Sequence, residues 1–162
     1  QMCIRDRDTD ARWTKKNDET HYGYKNHVKV DADSKIITDY ATTSANIHDS
    51  NEFSEFLGEA DKVIYADSAY VGKEIPKHVE NRICEKGYRG KPLTDEQKES
   101  NRRKSKIRCR IEHVFGFITV SMHGLTVRSI GIKRAEFNIG LTNLVYNFCR
   151  YTILKRKEVY MG

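Results

Sequence analysis

The sequence has few of the residues that build disulfide or zinc frameworks. Its four cysteines are widely spaced without a Cys-x-x-Cys pair, and its six histidines show no zinc-ligand spacing. This pattern argues against a secreted disulfide scaffold and favours a reducing, cytoplasmic compartment. No apolar run approaches the roughly 20 residues of a membrane helix, and the N-terminus lacks the apolar core of a signal peptide. We therefore expect no membrane partner.

Several motifs of phosphate binding, nucleophilic catalysis and repeat architecture are also missing from the sequence. It contains no phosphate-cradling glycine loop, no nucleophile elbow and no internal repeat. What it has is charge: 29 Lys and Arg against 23 Asp and Glu give a net charge of +6 over 162 residues. A basic balance favours a polyanionic partner such as nucleic acid, although a solvated basic surface explains it equally well. The length suits one ordinary domain.

The stretch from Ile107 to Gly116 has the period of an amphipathic helix. Its apolar residues predict one buried stripe, formed by Ile107, Ile111, Val114, Phe115 and Ile118. Ser105, Arg108, Glu112 and Thr119 fall on one flank of that stripe. The charged pair Arg108 and Glu112 thus lies at the border between core and solvent, a position that suits a metal ligand.

A second stretch places another carboxylate after a short apolar run. Residues 62–66 predict a strand that ends at Asp67, and the carboxyl ends of strands are where open α/β sheets place ligands. If the helix packs across that end, Asp67 and Glu112 converge, and convergent carboxylates bind hard cations such as Mg²⁺. Each residue also has a structural interpretation, Asp67 as a cap and Glu112 with Arg108 as a solvated i, i+4 pair.

The remaining pattern predicts alternating strands and helices, hence an α/β class. The alternation of residues 22–31 and 35–43 around an Asp-rich turn predicts an antiparallel hairpin. We further expect a short helix after Asp49, a helix over 72–81, a strand over 82–85 and a helix opened by a Thr94 to Gln97 capping box. The closing helix is predicted over 133–154, with a core stripe of Phe137, Leu141, Leu144, Val145 and Phe148.

Several ordered motifs resemble the DDE transposases of bacterial insertion sequences, in the insertion sequence 5-like and 4-like superfamily. They are Asp8-Thr-Asp-Ala-Arg-Trp-Thr-Lys-Lys16, Tyr22-Gly-Tyr-Lys-Asn-His27 with Val30-Asp31, Thr42-Thr-Ser-Ala-Asn-Ile-His-Asp49, Ala66-Asp67-Ser-Ala-Tyr70, Arg108 to Gly116, and Tyr146-Asn147.

The resemblance implies a ribonuclease H-like mixed sheet with flanking helices. In that family three acids hold two divalent ions, Mg²⁺ or Mn²⁺, for DNA cleavage and strand transfer. Asp67 matches the second acid and Glu112 the third. The first acid lies on a strand upstream of the Asp8 motif, so we expect this chain to lack both that acid and its strand.

The resemblance also implies the partners. These are double-stranded DNA, at transposon terminal inverted repeats and target sites, and a second subunit in a homodimer when the protein is complete. Arg108, Arg12 and Lys25 are the DNA-binding candidates. Two positions depart from the family's pattern, since Ser105 stands where a Tyr is frequent and Thr119 where a Lys would contact phosphate. We expect a nucleoid-associated, cytoplasmic protein.

The expected domain organisation is a non-native or disordered leader (1–7), a truncated catalytic domain (8–157) and a tail (158–162). Without the first strand, the neighbouring backbone groups would be exposed, so we expect a marginally stable or self-associating chain. The predicted function is the C-terminal part of a metal-dependent DDE transposase, inactive alone. The alternatives are a non-catalytic DNA-binding remnant, a structural fragment and a ribonuclease H-like nuclease.

Overall fold

The computed structural model describes residues 8–16 and 18–161, with only the backbone described for residues 16, 50 and 158–161. Its contacts divide the chain into two compact units. The first unit is Gln1–His48 with Val114–Gly162, and the second unit is Asp49–His113. Antiparallel strands, a parallel strand pair and helices are all present, so the fold is mixed α/β as predicted. The predicted leader, residues 1–7, lies outside the described residues.

The sheet of the first unit has three antiparallel strands in the order β1-β2-β3. The predicted hairpin is confirmed as β2 (Glu19–Val30) and β3 (Ile37–Ser44). Asp31 shapes the turn between them, because its carboxylate accepts a 2.7 Å hydrogen bond from the Ser34 N–H. Strand β1 (Arg12–Lys16) pairs with the first half of β2 and was not predicted.

A 30-residue helix, α3 (Ile132–Met161), completes the first unit. Its buried face consists of Ala135, Ile139, Asn143 and Tyr146. The core stripe predicted for this helix was wrong: Phe137, Leu141, Leu144, Val145 and Phe148 are all exposed. The helix is also longer than predicted, and the tail assigned to 158–162 is helical through Met161.

Polar bonds and small residues explain why α3 turns this face inward. Asn143 exchanges hydrogen bonds with Asn26 on β2, and Asn147 both donates to and accepts from the backbone of Ile37 at the start of β3. The helix also comes close to β3 at Gly140, where an added Cβ would collide with the Tyr40 hydroxyl. Amide hydrogen bonds and the close approach of helix and strand thus determine which face of α3 is buried, and hydrophobic periodicity does not predict either of them.

The core of the first unit forms where helix α2 (Arg110–Ser121) meets β3 and α3. Val114 and Ile118 pack with Ile37 and Tyr146, and the Phe117 ring lies edge-on to Tyr146 at 5.6 Å. The predicted burial of Val114 and Ile118 is confirmed. Phe115 is exposed, and Ile107 and Ile111 are only half-buried, so the predicted five-residue stripe is buried in part.

The second unit contains a short parallel strand pair, β4 (Val63–Ile64) and β5 (Glu80–Asn81). This unit also contains short 3₁₀ turns. Two precede β4, at Asp49–Asn51 and Phe53–Phe56, and Ser68–Tyr70 lies between β4 and β5. The helix predicted over 72–81 is wrong, because Gly72 adopts φ +88° and Pro76 cannot donate a helical hydrogen bond. The strand predicted over 82–85 is shifted to β5, although the N–H groups of Arg82 and Cys84 still bond to the backbone of Ile64 and Ala66.

Helix α1 (Asp95–Arg108) begins at the predicted capping box, in which Thr94 and Gln97 bond to each other's backbone N–H. The single helix predicted through residues 107–118 is divided at Cys109, where ψ of −4° departs from helical geometry. Among the described residues, no helix combines the length and the apolar character needed to cross a membrane.

Candidate active site in the second unit

Asp67 stands where the chain leaves the β4 region and enters the Ser68–Tyr70 turn. Its carboxylate accepts a hydrogen bond from the Ser68 N–H and so caps that turn, as the structural interpretation anticipated. The bond uses one oxygen, while 56% of the side chain remains exposed. Asp67 can therefore cap the turn and still bind a ligand, because a carboxylate offers about four acceptor positions.

Arg108, in the last turn of α1, brings the two predicted acids together. Its guanidinium lies 3.9 Å from an Asp67 oxygen and 3.7 Å from a Glu112 oxygen. The Arg108 Nε is buried and has no hydrogen-bond partner among the described residues. All three side chains belong to the second unit, so their proximity is a property of that unit alone.

Glu112 lies in the first turn of α2, three residues beyond the division at Cys109. A carboxylate is favourable there, because the N-terminus of a helix carries partial positive charge. Its side chain is 62% exposed. Both contacts with Arg108 are therefore solvated ion pairs of about 1 kcal/mol or less, and neither carboxylate is committed to holding the fold.

The donor chemistry fits a divalent ion in part. Carboxylate oxygens are the ligands that Mg²⁺ and Mn²⁺ prefer, and Asp67 and Glu112 supply them. However, no group of three or more His, Cys, Asp or Glu side chains is arranged to hold a metal in the part of the chain that the structure describes. The pair suits one loosely held ion and does not fit two.

Helix α1 carries the basic run that the sequence placed before Glu112. Two of its five cations are engaged: Lys98 pairs with Asp95, and Lys104 donates to the Ile83 carbonyl and contacts Glu85. The other three, Arg102, Arg103 and Lys106, are exposed. The sequence indicated the run, but only the structure distinguishes the engaged cations from the available ones.

The other DNA-binding candidates lie in the first unit. Arg12 is exposed and donates to the carbonyls of Thr9 and Ala11. Lys25 is half-buried, and its Nζ donates to the Ile47 carbonyl at 2.7 Å. Ser105, at the first departure from the family's pattern, lies 3.8 Å from the buried Cys84 sulfur, and Thr119, at the second, is exposed.

A second group of carboxylates, whose role the sequence did not indicate, lies in the first unit. Asp8 is 7% exposed, and its two oxygens accept from the Tyr24 hydroxyl, the Gly131 N–H and the N–H groups of Asp10 and Ala11. Asp10 accepts from the Ile132 N–H at the start of α3. These bonds tie the segment before β1 to the beginning of the last helix.

The environment of Asp8 changes its acidity. Burial alone would raise the pKa of the Asp8 carboxyl, but the bonds from Tyr24, Gly131, Ala11 and Asp10 outweigh it and hold the pKa below its ordinary 3.8. Burial, together with the Asp8 charge, raises the pKa of Tyr24. In the second unit, burial first and the charges of Asp49 and Asp67 next raise the pKa of Tyr70.

Together these features define a basic, mixed α/β protein that presents two carboxylates to solvent on either side of one guanidinium. Residues 3–148 match the family described as "Transposase DDE domain". The chain belongs to this family, which confirms the resemblance seen in its motifs. The match begins inside the segment 1–7; the boundaries at residues 7 and 157 stay predictions.

The chain is similar to a transposase for insertion sequence element IS1106 from Neisseria meningitidis serogroup B. The two are 35% identical over 117 residues, which cover 68% of this chain and 40% of the relative. The chain thus matches less than half of that relative's length. No solved structure matches the chain.

Proposed function

We propose that this chain supplies the second and third acids of a transposase that cleaves and joins DNA strands at transposon ends. The observation that carries the proposal is the convergence of Asp67 and Glu112 on Arg108 within one unit. A solvent-facing carboxylate pair that flanks one guanidinium is suited to holding a phosphodiester and the metal that activates it. Family membership supports the same reaction class.

In the proposed reaction Asp67 and Glu112 would hold the divalent ion through their free oxygens. When bound, Mg²⁺ or Mn²⁺ would supply charge stabilisation for the attacking and leaving oxygens. Arg108 acts on the acids: its planar fork keeps two like charges near each other before metal arrives. It can also turn towards a phosphate, because both of its ion pairs are solvated.

The proposal extends to fold and partners. We infer a ribonuclease H-like arrangement, supported by the family and by the mixed α/β elements. The DNA partners would be terminal inverted repeats and target duplex, contacted by Arg108, Arg12 and Lys25 and by the free cations of α1. A homodimer would pair the two transposon ends.

Alone, the chain should have little cleavage activity. The described residues bring two carboxylates to the site, and a two-ion reaction needs more oxygen ligands than they offer. A DNA-binding role without catalysis is therefore the second candidate for the isolated chain, favoured by the exposed Arg102, Arg103 and Lys106.

Mn²⁺ binding by the purified chain tests the site directly. We expect weak binding, seen as loss of the free Mn²⁺ signal in electron paramagnetic resonance. Asp67→Asn and Glu112→Gln should each weaken it at least about tenfold, since each removes one of two charged ligands. Glu99→Gln, an exposed acid on α1, is the matched control and should change nothing.

Two results would count against the proposal in different ways. Equal Mn²⁺ binding by wild type, Asp67→Asn and Glu112→Gln would remove these residues from the site. Strong Mg²⁺-dependent nicking of terminal-repeat DNA by the chain alone, lost in Asp67→Asn, would keep the site but overturn the predicted inactivity.

A further inference from the structure

An exposed apolar surface of the first unit runs along α3. Phe137 is 70% exposed, Phe148 is 62% exposed, and four neighbours are exposed to 41% or more: Leu141, Leu144, Val145 and Tyr151. We call these six residues the α3 seam. Residues 135 and 137 are about 200° apart on a helix, so the seam lies opposite the face that packs on the sheet.

The spacing along the α3 seam is that of a helix–helix contact. Phe137, Leu141, Leu144, Phe148 and Tyr151 follow one another at intervals of four, three, four and three residues. This repeat keeps one narrow line of side chains facing a partner helix, as in coiled coils. A helix that only needed to cover its own sheet would have no use for a second line of this kind.

The size of the α3 seam matches what a pair of chains needs. An exposed aromatic or leucine of this kind contributes on the order of 100 Å², so the seam presents about 600 Å², the upper end of the range for a monomer's largest apolar patch. Two copies facing each other would bury about 1,200 Å², the lower limit of the standard size for specific interfaces.

We propose that the α3 seam is the surface through which two copies of this chain associate, helix against helix about a two-fold axis. An isologous contact fits, because the seam has leucines at its centre and aromatic residues on both sides, so the same patch can serve both subunits. The inference rests on the homodimer proposed above and deepens it by naming the surface that would form it; neither the acids nor the metal takes part. It also places self-association on a helix, where the sequence had suggested an exposed strand edge.

Sedimentation equilibrium of the purified chain, without DNA or metal, tests this directly. We expect a concentration-dependent dimer. The double variant Leu141→Gln, Leu144→Gln should raise the dimer Kd at least about thirtyfold, because it removes two buried leucines per copy. Both positions are exposed in one chain, so the variant should keep its circular dichroism spectrum and melting transition.

The matched control is Glu136→Gln with Lys157→Gln. Both residues are exposed on α3 away from the line of the seam, and the pair leaves the net charge unchanged. Its Kd should equal that of wild type. A wild-type chain that stays monomeric at all concentrations would overturn the proposal, as would a dimer that survives in the leucine variant or weakens equally in the control.

Discussion

The two units use the same kinds of charged residue in opposite ways. In the first unit, Asp8 is buried and both of its oxygens are occupied by fixed donors. In the second unit, Asp67 and Glu112 are more than half exposed and share one solvated guanidinium. A saturated carboxylate can only hold structure together, whereas one with free oxygens can still take a ligand. Surroundings, more than residue type, separate the structural acids from the candidate catalytic ones.

The largest expected difference is in stability. Asp8→Ala should lower the free energy of unfolding by about 3 kcal/mol or more, because the Tyr24 hydroxyl and nearby backbone N–H groups lose their acceptor in a buried place. Asp67→Ala should cost about 1 kcal/mol or less, since its contacts are solvated. Urea denaturation of both variants against wild type measures the contrast. Equal losses would mean that Asp67 is also a structural residue.

The second difference is in DNA affinity. Replacing Arg102, Arg103 and Lys106 by Gln should weaken duplex binding about tenfold or more and reduce the salt slope by about three. Replacing Arg12 and Lys25 should weaken it less, because both already donate to backbone carbonyls. Fluorescence anisotropy at several salt concentrations gives both quantities.

A charge-matched triple variant, Lys77, Arg89 and Lys91 to Gln, separates contact from net charge. All three residues are exposed in the second unit and lie outside α1. If this control lowers affinity as much as the α1 triple variant does, the α1 cations are not a preferred binding surface.

The smallest expected difference is in pH dependence. The pKa of Asp8 is lower in the folded protein than its ordinary 3.8, so its contribution to stability is full well above that value. It is lost as the pH falls through 3.8 towards the folded-state pKa. Asp8→Asn should therefore lose less stability than wild type between pH 5 and pH 3, as thermal melts would show. A parallel loss in both proteins would assign the acid sensitivity to other groups.

Local patterns in the sequence predicted the local structure well. The β2–β3 hairpin and the Thr94 capping box rest on neighbouring residues, and both are present as predicted. The proximity of Asp67 and Glu112 was also anticipated, because a strand end and a helix flank restrict where side chains can meet. Their catalytic and metal-binding roles remain predictions.

Sequence patterns gave wrong predictions where residues far apart in the chain determine the structure. The α3 face was inverted because Asn143 and Asn147 bond to residues more than 100 positions earlier, an arrangement that hydrophobic periodicity does not reveal. The helix predicted over 72–81 is absent for a local reason, since Gly72 and Pro76 both interrupt helical hydrogen bonding. The role of Asp8 was missed because its donors come from β2 and from the residue before α3.

The bonds between Asn147 and Ile37 also bear on how the chain is made. Strand β3 leaves the ribosome well before the helix that covers it, because Ile37 and Asn147 are 110 positions apart. Residues 49–113 are contiguous and have their complete set of internal contacts sooner. Because nascent chains fold as their segments become available, the second unit should be complete while the first unit's sheet still waits for its helix. The second unit should therefore finish folding before the first unit, although the strands of the first unit's sheet are synthesised earlier.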